Sequence, residues 1–208
     1  YLIFFARWDL GGPWNSSGID GVARWLRRLW TMVLEEPENA QTASEETIRA
    51  LRRKVHQTLR AVTRDYENFE FNTIVSALME LLNDMSKAKQ DGAWGTPAWK
   101  EAEKIYLLIA APVAPHITEE LWQRLGEPYS IHTQNWPVAD EAAAAEDEIV
   151  LIVQVNGKLR DRITVPVSIS EDDAKKLALA SENVNRILES KTPRKVIVVP
   201  GKLVNIVM

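Results

Sequence analysis

The sequence predicts a multidomain chain: an all-α helical bundle followed by a small α+β domain of ββ-helix-ββ order. Two observations carry this. All eight tryptophans lie at or before Trp136, no Trp, Tyr or Phe follows it, and Val and Ile become dense from Ile149 onward. A composition shift of that kind marks a boundary. Between the halves, Val138 to Glu148 is small and acidic with no apolar face, which reads as a linker. The expected division is a bundle over residues 1–137, a linker over 138–148 and an α+β domain over 149–208.

Each element follows from a local signal. Tyr1 to Ala6 is apolar with no start signal ahead of it, so it reads as the end of a helix and the chain as beginning inside a larger protein. From Gly18 to Glu36, Val22, Trp25, Leu26, Leu29 and Val33 recur near the helical period, and Pro37 stands where that helix should stop. Ser44 opens a second helix, whose stripe is Ile48, Leu51, Val55, Leu59 and Val62. Phe71, Ile74, Val75, Leu78, Leu82 and Met85 form a third stripe, broken by Gly92 and Gly95. Thr96-Pro97 is a cap followed by proline at the first helical position, so a fourth helix runs to about Ala111. His116 to Leu125 is a short fifth helix closed by Gly126. Short connections between such helices imply an antiparallel bundle.

In the second part Val150 to Val155 and Leu159 to Val165 are strands joined by Asn156-Gly157, a strong two-residue hairpin signal. Ser170 with Glu171, Asp172 and Asp173 starts a helical region that runs to about Ser190, with a break expected near Asn183. Lys195 to Val199 and Leu203 to Val207 are the last strands, joined at Pro200-Gly201. The result is a small sheet covered on one face.

Composition excludes several classes. Cysteine is absent, which removes disulfides, thiolate nucleophiles and cysteine-based zinc sites and suits a cytoplasmic protein. No apolar run approaches membrane-spanning length. His56, His116 and His132 lack metal-ligand spacing, and Gly11-Gly12-Pro13 lacks the lysine of a phosphate loop. The acidic pairs Glu35-Glu36, Glu45-Glu46 and Glu119-Glu120 diverge on a helix. No catalytic residue and no metal ligand is expected.

What remains is a charge asymmetry. The net charge is −4, yet residues 148–208 hold 10 Lys/Arg against 7 Asp/Glu, while the rest holds 15 against 22. Lys158, Arg160 and Arg162 alternate along one strand, which period two would place on one face. Lys191, Arg194, Lys195 and Lys202 come from later strands and turns. A second basic stretch contains Arg49, Arg52, Arg53, Lys54, Arg60 and Arg64, with no acid between Thr47 and Arg64. Both groups read either as solvated faces or as phosphate contacts. Without aromatics the second part cannot stack single-stranded bases, so any RNA it binds must be read through backbone and shape. Met85-Ser86-Lys87-Ala88-Lys89 continues the third apolar stripe and reads as a helix end with a solvated, cationic tail.

Ala111-Pro-Val-Ala-Pro-His-Ile-Thr-Glu-Glu-Leu-Trp122 resembles the helical anticodon-binding domain of the Leu/Ile/Val/Met group of class I aminoacyl-tRNA synthetases. Trp14-Asn-Ser-Ser-Gly-Ile-Asp-Gly21, Arg24-Trp-Leu-Arg-Arg-Leu-Trp30, His56-Gln-Thr-Leu59 and Phe71-Asn-Thr-Ile-Val-Ser-Ala-Leu-Met-Glu-Leu81 resemble bacterial leucyl enzymes more selectively. Gln154-Val-Asn-Gly-Lys158 and Arg194-Lys-Val-Ile-Val-Val-Pro-Gly-Lys-Leu-Val-Asn-Ile-Val207 resemble the small C-terminal domain of the leucyl family. Phe5 to Pro13 departs from that pattern, and Asp161 falls between Arg160 and Arg162 where a neutral residue is expected.

The resemblance implies a C-terminal fragment of a leucine–tRNA ligase, an enzyme that joins leucine to its tRNA using ATP and Mg. The catalytic and editing sites would lie upstream, so the fragment is expected to be inactive alone and to need no cofactor. Its implied partners are leucine tRNA and the catalytic domain of the same chain, with neither membrane nor DNA. The bundle is expected along the inside of the tRNA and the C-terminal domain at its elbow, with Lys158, Arg160, Arg162, Lys191, Arg194, Lys195 and Lys202, and Arg52, Arg53 and Lys54 of the bundle, as RNA contacts. Two alternatives stay open: the tail of another Ile/Val/Met-group synthetase, though the valyl enzymes usually end in a coiled coil, and a protein-interaction module pairing through the Val196–Val199 edge.

Overall fold

A computed structural model of the chain describes residues 1–7, 9–38, 42–145, 148–167, 169–188 and 193–208. Two compact units divide it, Tyr1–Ala145 and Glu146–Met208.

The first unit is built on five helices: α1 (Gly18–Leu34), α2 (Glu45–Glu67), α3 (Phe71–Ala88), α4 (Pro97–Ala110) and α5 (Pro115–Arg124). Their starts obey capping chemistry. Ser44 accepts from the Thr47 amide at 3.0 Å, and Thr96 from the Trp99 amide at 3.2 Å with Pro97 behind it, which satisfies amides that the helix itself leaves unpaired. The predicted stripes are the core: Leu29, Leu59, Val62, Ile74, Leu78, Leu82 and Met85 are buried together. Burying each such side chain stabilises by about 1.5–3 kcal/mol. Three helices are cross-linked inside that core. Trp25 Nε1 of α1 donates to the Tyr106 hydroxyl of α4 at 2.9 Å, which donates to the Leu78 carbonyl of α3 at 3.0 Å. Burial pushes the Tyr106 phenol pKa well above its ordinary value, so it remains a donor.

Three expectations are corrected here. Tyr1 to Ala6 forms turns, not a helix end; Tyr1 stacks on Phe5, meets Trp14 edge-on and donates to the Asn15 carbonyl. Residues 138–145 are not a free linker. They close the first unit and include a short helix, α6 (Glu141–Ala144), whose Ala144 is buried. Lys89 is not a solvated tail. Beyond α3 the chain widens into a looser turn over Lys89–Ala93, and Lys89 turns inward. Its ammonium donates to the carbonyls of Met32 at 3.0 Å and Glu35, and lies 4.1 Å over the Trp94 ring. It therefore caps the carbonyl end of α1, where a cation suits the helix dipole. Burial lowers its pKa.

The second unit is a four-stranded sheet with two helices on one face. Its strands are β1 (Glu148–Val155), β2 (Lys158–Pro166), β3 (Lys195–Val199) and β4 (Leu203–Val207), in the order β2-β1-β4-β3. β1 runs antiparallel to β2 and parallel to β4, so the sheet is mixed. The β1–β2 turn has Asn156 at φ 49° and Gly157 at φ 76°, the left-handed pair that a type I′ hairpin requires. The break expected near Asn183 falls at Ser181, between two short helices, α7 (Glu171–Ala180) and α8 (Glu182–Leu188). Ala174, Ala178, Val184 and Leu188 pack on Leu151, Val153, Val155, Val165, Val204 and Ile206.

Candidate nucleic-acid interface

The two basic groups marked by the sequence have different fates. In α2 the cations are met by acids, most of them from other elements and the rest from α2 itself. Arg52 makes a two-pronged bond to Glu101 (2.7 and 3.2 Å) and a third bond to Asp140 at 3.2 Å. Lys54 pairs with Asp84 at 3.4 Å, Arg60 with Glu141 at 3.1 Å, and Arg64 with Asp65 at 3.1 Å. Arg53 is half-buried and also engaged. The expected open basic face of α2 is therefore largely neutralised within its own unit. The Arg52 guanidinium holds the Glu101 pKa below the usual carboxylate range, as a charge-assisted bond to the ionised form should.

In the second unit Lys158, Arg160, Arg162, Arg194, Lys195 and Lys202 are all exposed. None makes an ion pair among the described residues. Lys191 lies outside the described residues. In the helical layer Asp172 and Asp173 pair with Lys175 and Lys176 along α7. Asp161, which the sequence places between two arginines, sits opposite Val153 on the helix-covered face and accepts from Ser181. That bond, with the Arg162 amide, lowers its pKa. It does not stand among the arginine side chains on an open face.

The cations do not form the expected single stripe. The β1–β2 register slips by one at Val153/Gln154: Val153 pairs with Asp161, but Gln154 pairs with Leu159. Arg160 is the extra residue, a bulge that inverts alternation along the strand. Arg162, opposite Ile152, belongs to the open face, whereas Lys158 is opposite buried Val155 at the hairpin end. Lys195 pairs with Val207 on the far edge strand, at the same end of the sheet as Lys158. Three strand spacings separate them, about 14 Å. Lys202 lies in the β3–β4 turn at the other end. The arrangement is a rim around the sheet, not a line.

Inside that rim is a feature the sequence reading missed. The open face carries Val150, Ile152, Leu159, Ile197 and Val199, each more than a third exposed. Alternating apolar residues on both faces of the strands were the available signal; the run Val196–Val199 was read as an edge alone. A sheet face this apolar with no helix over it is the kind of surface that marks a binding site.

His56 is buried, and its Nδ1 accepts from the Asp140 amide at 3.2 Å while Nε2 faces Glu101 at 3.2 Å; this geometry requires the Nε2–H tautomer, a structural role. Among the described residues no group of three or more His, Asp or Glu could hold a metal, and no helix is long and apolar enough to cross a membrane.

Comparison with known proteins resolves the ancestry. Residues 49–176 match the family model described as the anticodon-binding domain of tRNA ligase. The chain belongs to that family. Over its full length it is 52% identical to a leucine–tRNA ligase of Dehalococcoides mccartyi strain 195, of which it covers 26%. It is 43% identical over 211 residues to a leucine–tRNA ligase of Deinococcus radiodurans, covering 25% of that protein. It thus spans about a quarter of the length of the curated relatives it matches. A solved ternary complex of Agrobacterium radiobacter K84 LeuRS, tRNA and LeuAMS contains a chain that matches 99% of this one, with a TM-score of 0.82, 26% identity and 27% of that chain covered. In this chain the α5 motif is structural: Leu121 and Trp122 are buried and Trp122 Nε1 donates to the Pro128 carbonyl at 2.8 Å.

Proposed function

We propose that this chain is the tRNA-binding C-terminal portion of a leucine–tRNA ligase, the cytoplasmic enzyme that attaches leucine to its tRNA with ATP and Mg. The observation that carries the reading is the match to leucine–tRNA ligases along all 208 residues. The piece binds and positions tRNA, while the adenylation, transfer and editing sites lie in the remaining three quarters of the enzyme. The bundle is the part that lies along the inside of the tRNA, and the sheet unit is the part that reaches its elbow.

The second unit's surface supports this division. Among the described residues Lys158, Arg160, Arg162, Arg194, Lys195 and Lys202 are exposed without acid partners, so their charge is available to phosphates. Within the rim, the apolar open face is free of aromatic rings, which suits a preformed RNA surface better than splayed single-stranded bases. Arg52 and Lys54 of α2 are a weaker part of the proposal, because both already hold carboxylates.

The test is direct. Reversing charge in Lys158→Glu/Arg160→Glu is expected to weaken binding of a folded leucine tRNA transcript at least tenfold, with each lost phosphate contact worth about 0.7–0.9 in log–log salt slope. Circular dichroism should be unchanged, since both side chains are exposed. Unaltered affinity would remove these residues from the interface.

A further inference from the structure

The structure assigns residues 138–145 a role as an acidic strap that occupies the basic face of α2 in place of RNA phosphate. The inference rests on the RNA-binding reading above and deepens it. The strap is held at several points. Upstream, Trp136 Nε1 donates to Thr63 at 2.9 Å and its ring meets Tyr66 edge-on at 5.3 Å. Asp140 bonds Arg52 through its carboxylate and His56 through its amide. Glu141 pairs with Arg60, and Gln57 Nε2 donates to the Ala144 carbonyl at 2.9 Å. Every anchor after Trp136 lies on α2.

The contacts match what a phosphate would make. Carboxylate and phosphate oxygens are both acceptor-only anions that fit the guanidinium fork. Arg60 has Glu141 as its ion-pair partner, both more than half exposed. Arg52 would keep Glu101 if the strap left, and the Nη2 donor now given to Asp140 would be open to another anion. Exposed pairs of this kind contribute little each, so the strap is displaceable by a polyanion.

The experiment compares the 208-residue chain with its Asp140→Asn/Glu141→Gln variant, in which Asn preserves the helix cap. Elastase, which cuts after small residues, should cleave the variant within Ala142–Ala145 several times faster. Folded tRNA should bind the variant about three- to tenfold more tightly at low salt, with a salt slope steeper by about one unit. Faster cleavage with unchanged affinity and slope, while the parent chain binds tRNA with normal salt sensitivity, overturns the strap and leaves the RNA reading standing. Unchanged cleavage shows that the two carboxylates do not hold the segment and overturns it as well. If neither protein binds tRNA, both readings fall. Should the double variant unfold, Glu141→Gln alone, at a largely exposed site, reads the same quantities.

Discussion

Glu103 in the middle of α4 is only 7% exposed, and its carboxylate has one hydrogen-bond donor in reach, Trp99 Nε1 at 3.3 Å. Burial, opposed by that bond and by Lys89 and Lys100 and assisted by Glu127, pushes its pKa from an ordinary 4.5 up to about 7. The folded state therefore holds this proton more tightly than the unfolded chain does. Below pH 4.5 both states are protonated and the group is neutral in its effect. Between 4.5 and about 7 the fold loses stability as pH rises, and above that the full cost is present. At 1.36 kcal/mol per unit, the shift is worth about 3 kcal/mol. Glu103→Gln keeps an oxygen for Trp99 and removes the charge. We expect the variant to match the parent near pH 4.5 and to exceed it increasingly up to pH 8, by about 6–12 °C in Tm for a unit of this size. All eight tryptophans lie in the first unit, so thermal unfolding followed by Trp fluorescence reports this bundle alone. Parallel pH profiles for the two proteins would refute the argument, because the cost would then not come from ionising a buried carboxyl.

Other substitutions test the fold at named contacts. Lys89→Met leaves the carbonyl end of α1 uncapped inside the protein and should cost about 1–3 kcal/mol, read as a lower urea midpoint; no loss would show that the ammonium is dispensable there. Trp25→Phe removes the donor to Tyr106 and part of a packed ring, and should cost about 2 kcal/mol in the same assay. Gly157→Ala meets no atom within 4 Å, so its cost should be backbone strain alone, about 1 kcal/mol in the second unit.

The helices were legible because their signals are local: apolar spacing, the Ser44, Thr96 and Ser170 caps, and Pro97 at a helix start. The Asn156-Gly157 hairpin was legible for the same reason. What was missed depends on partners distant in sequence. Asp140 and Glu141 look like linker residues until Arg52, His56, Gln57 and Arg60 are brought beside them by α2. Lys89 looks like a solvated tail until the end of α1 arrives above it. The Arg160 bulge is a misfit between two strands and exists in neither alone, which is why period two failed for Lys158, Arg160 and Arg162. The candidate interface was legible as a set of residue types but not as a shape: the cations are a rim, and the apolar face they surround shows only once the helices are seen to cover the other side.

The distinction between free and paired cations is best tested by the salt dependence of tRNA binding in two neutralised variants of this chain. Arg162→Gln/Lys195→Gln removes two cations of the sheet unit, and the magnitude of the log–log slope should fall by about 0.7–0.9 for each. Arg52→Gln/Lys54→Gln removes two that already hold carboxylates, and its slope should fall by less than that of the first variant. A loss of slope confined to the second variant would contradict the account and move the RNA interface to α2.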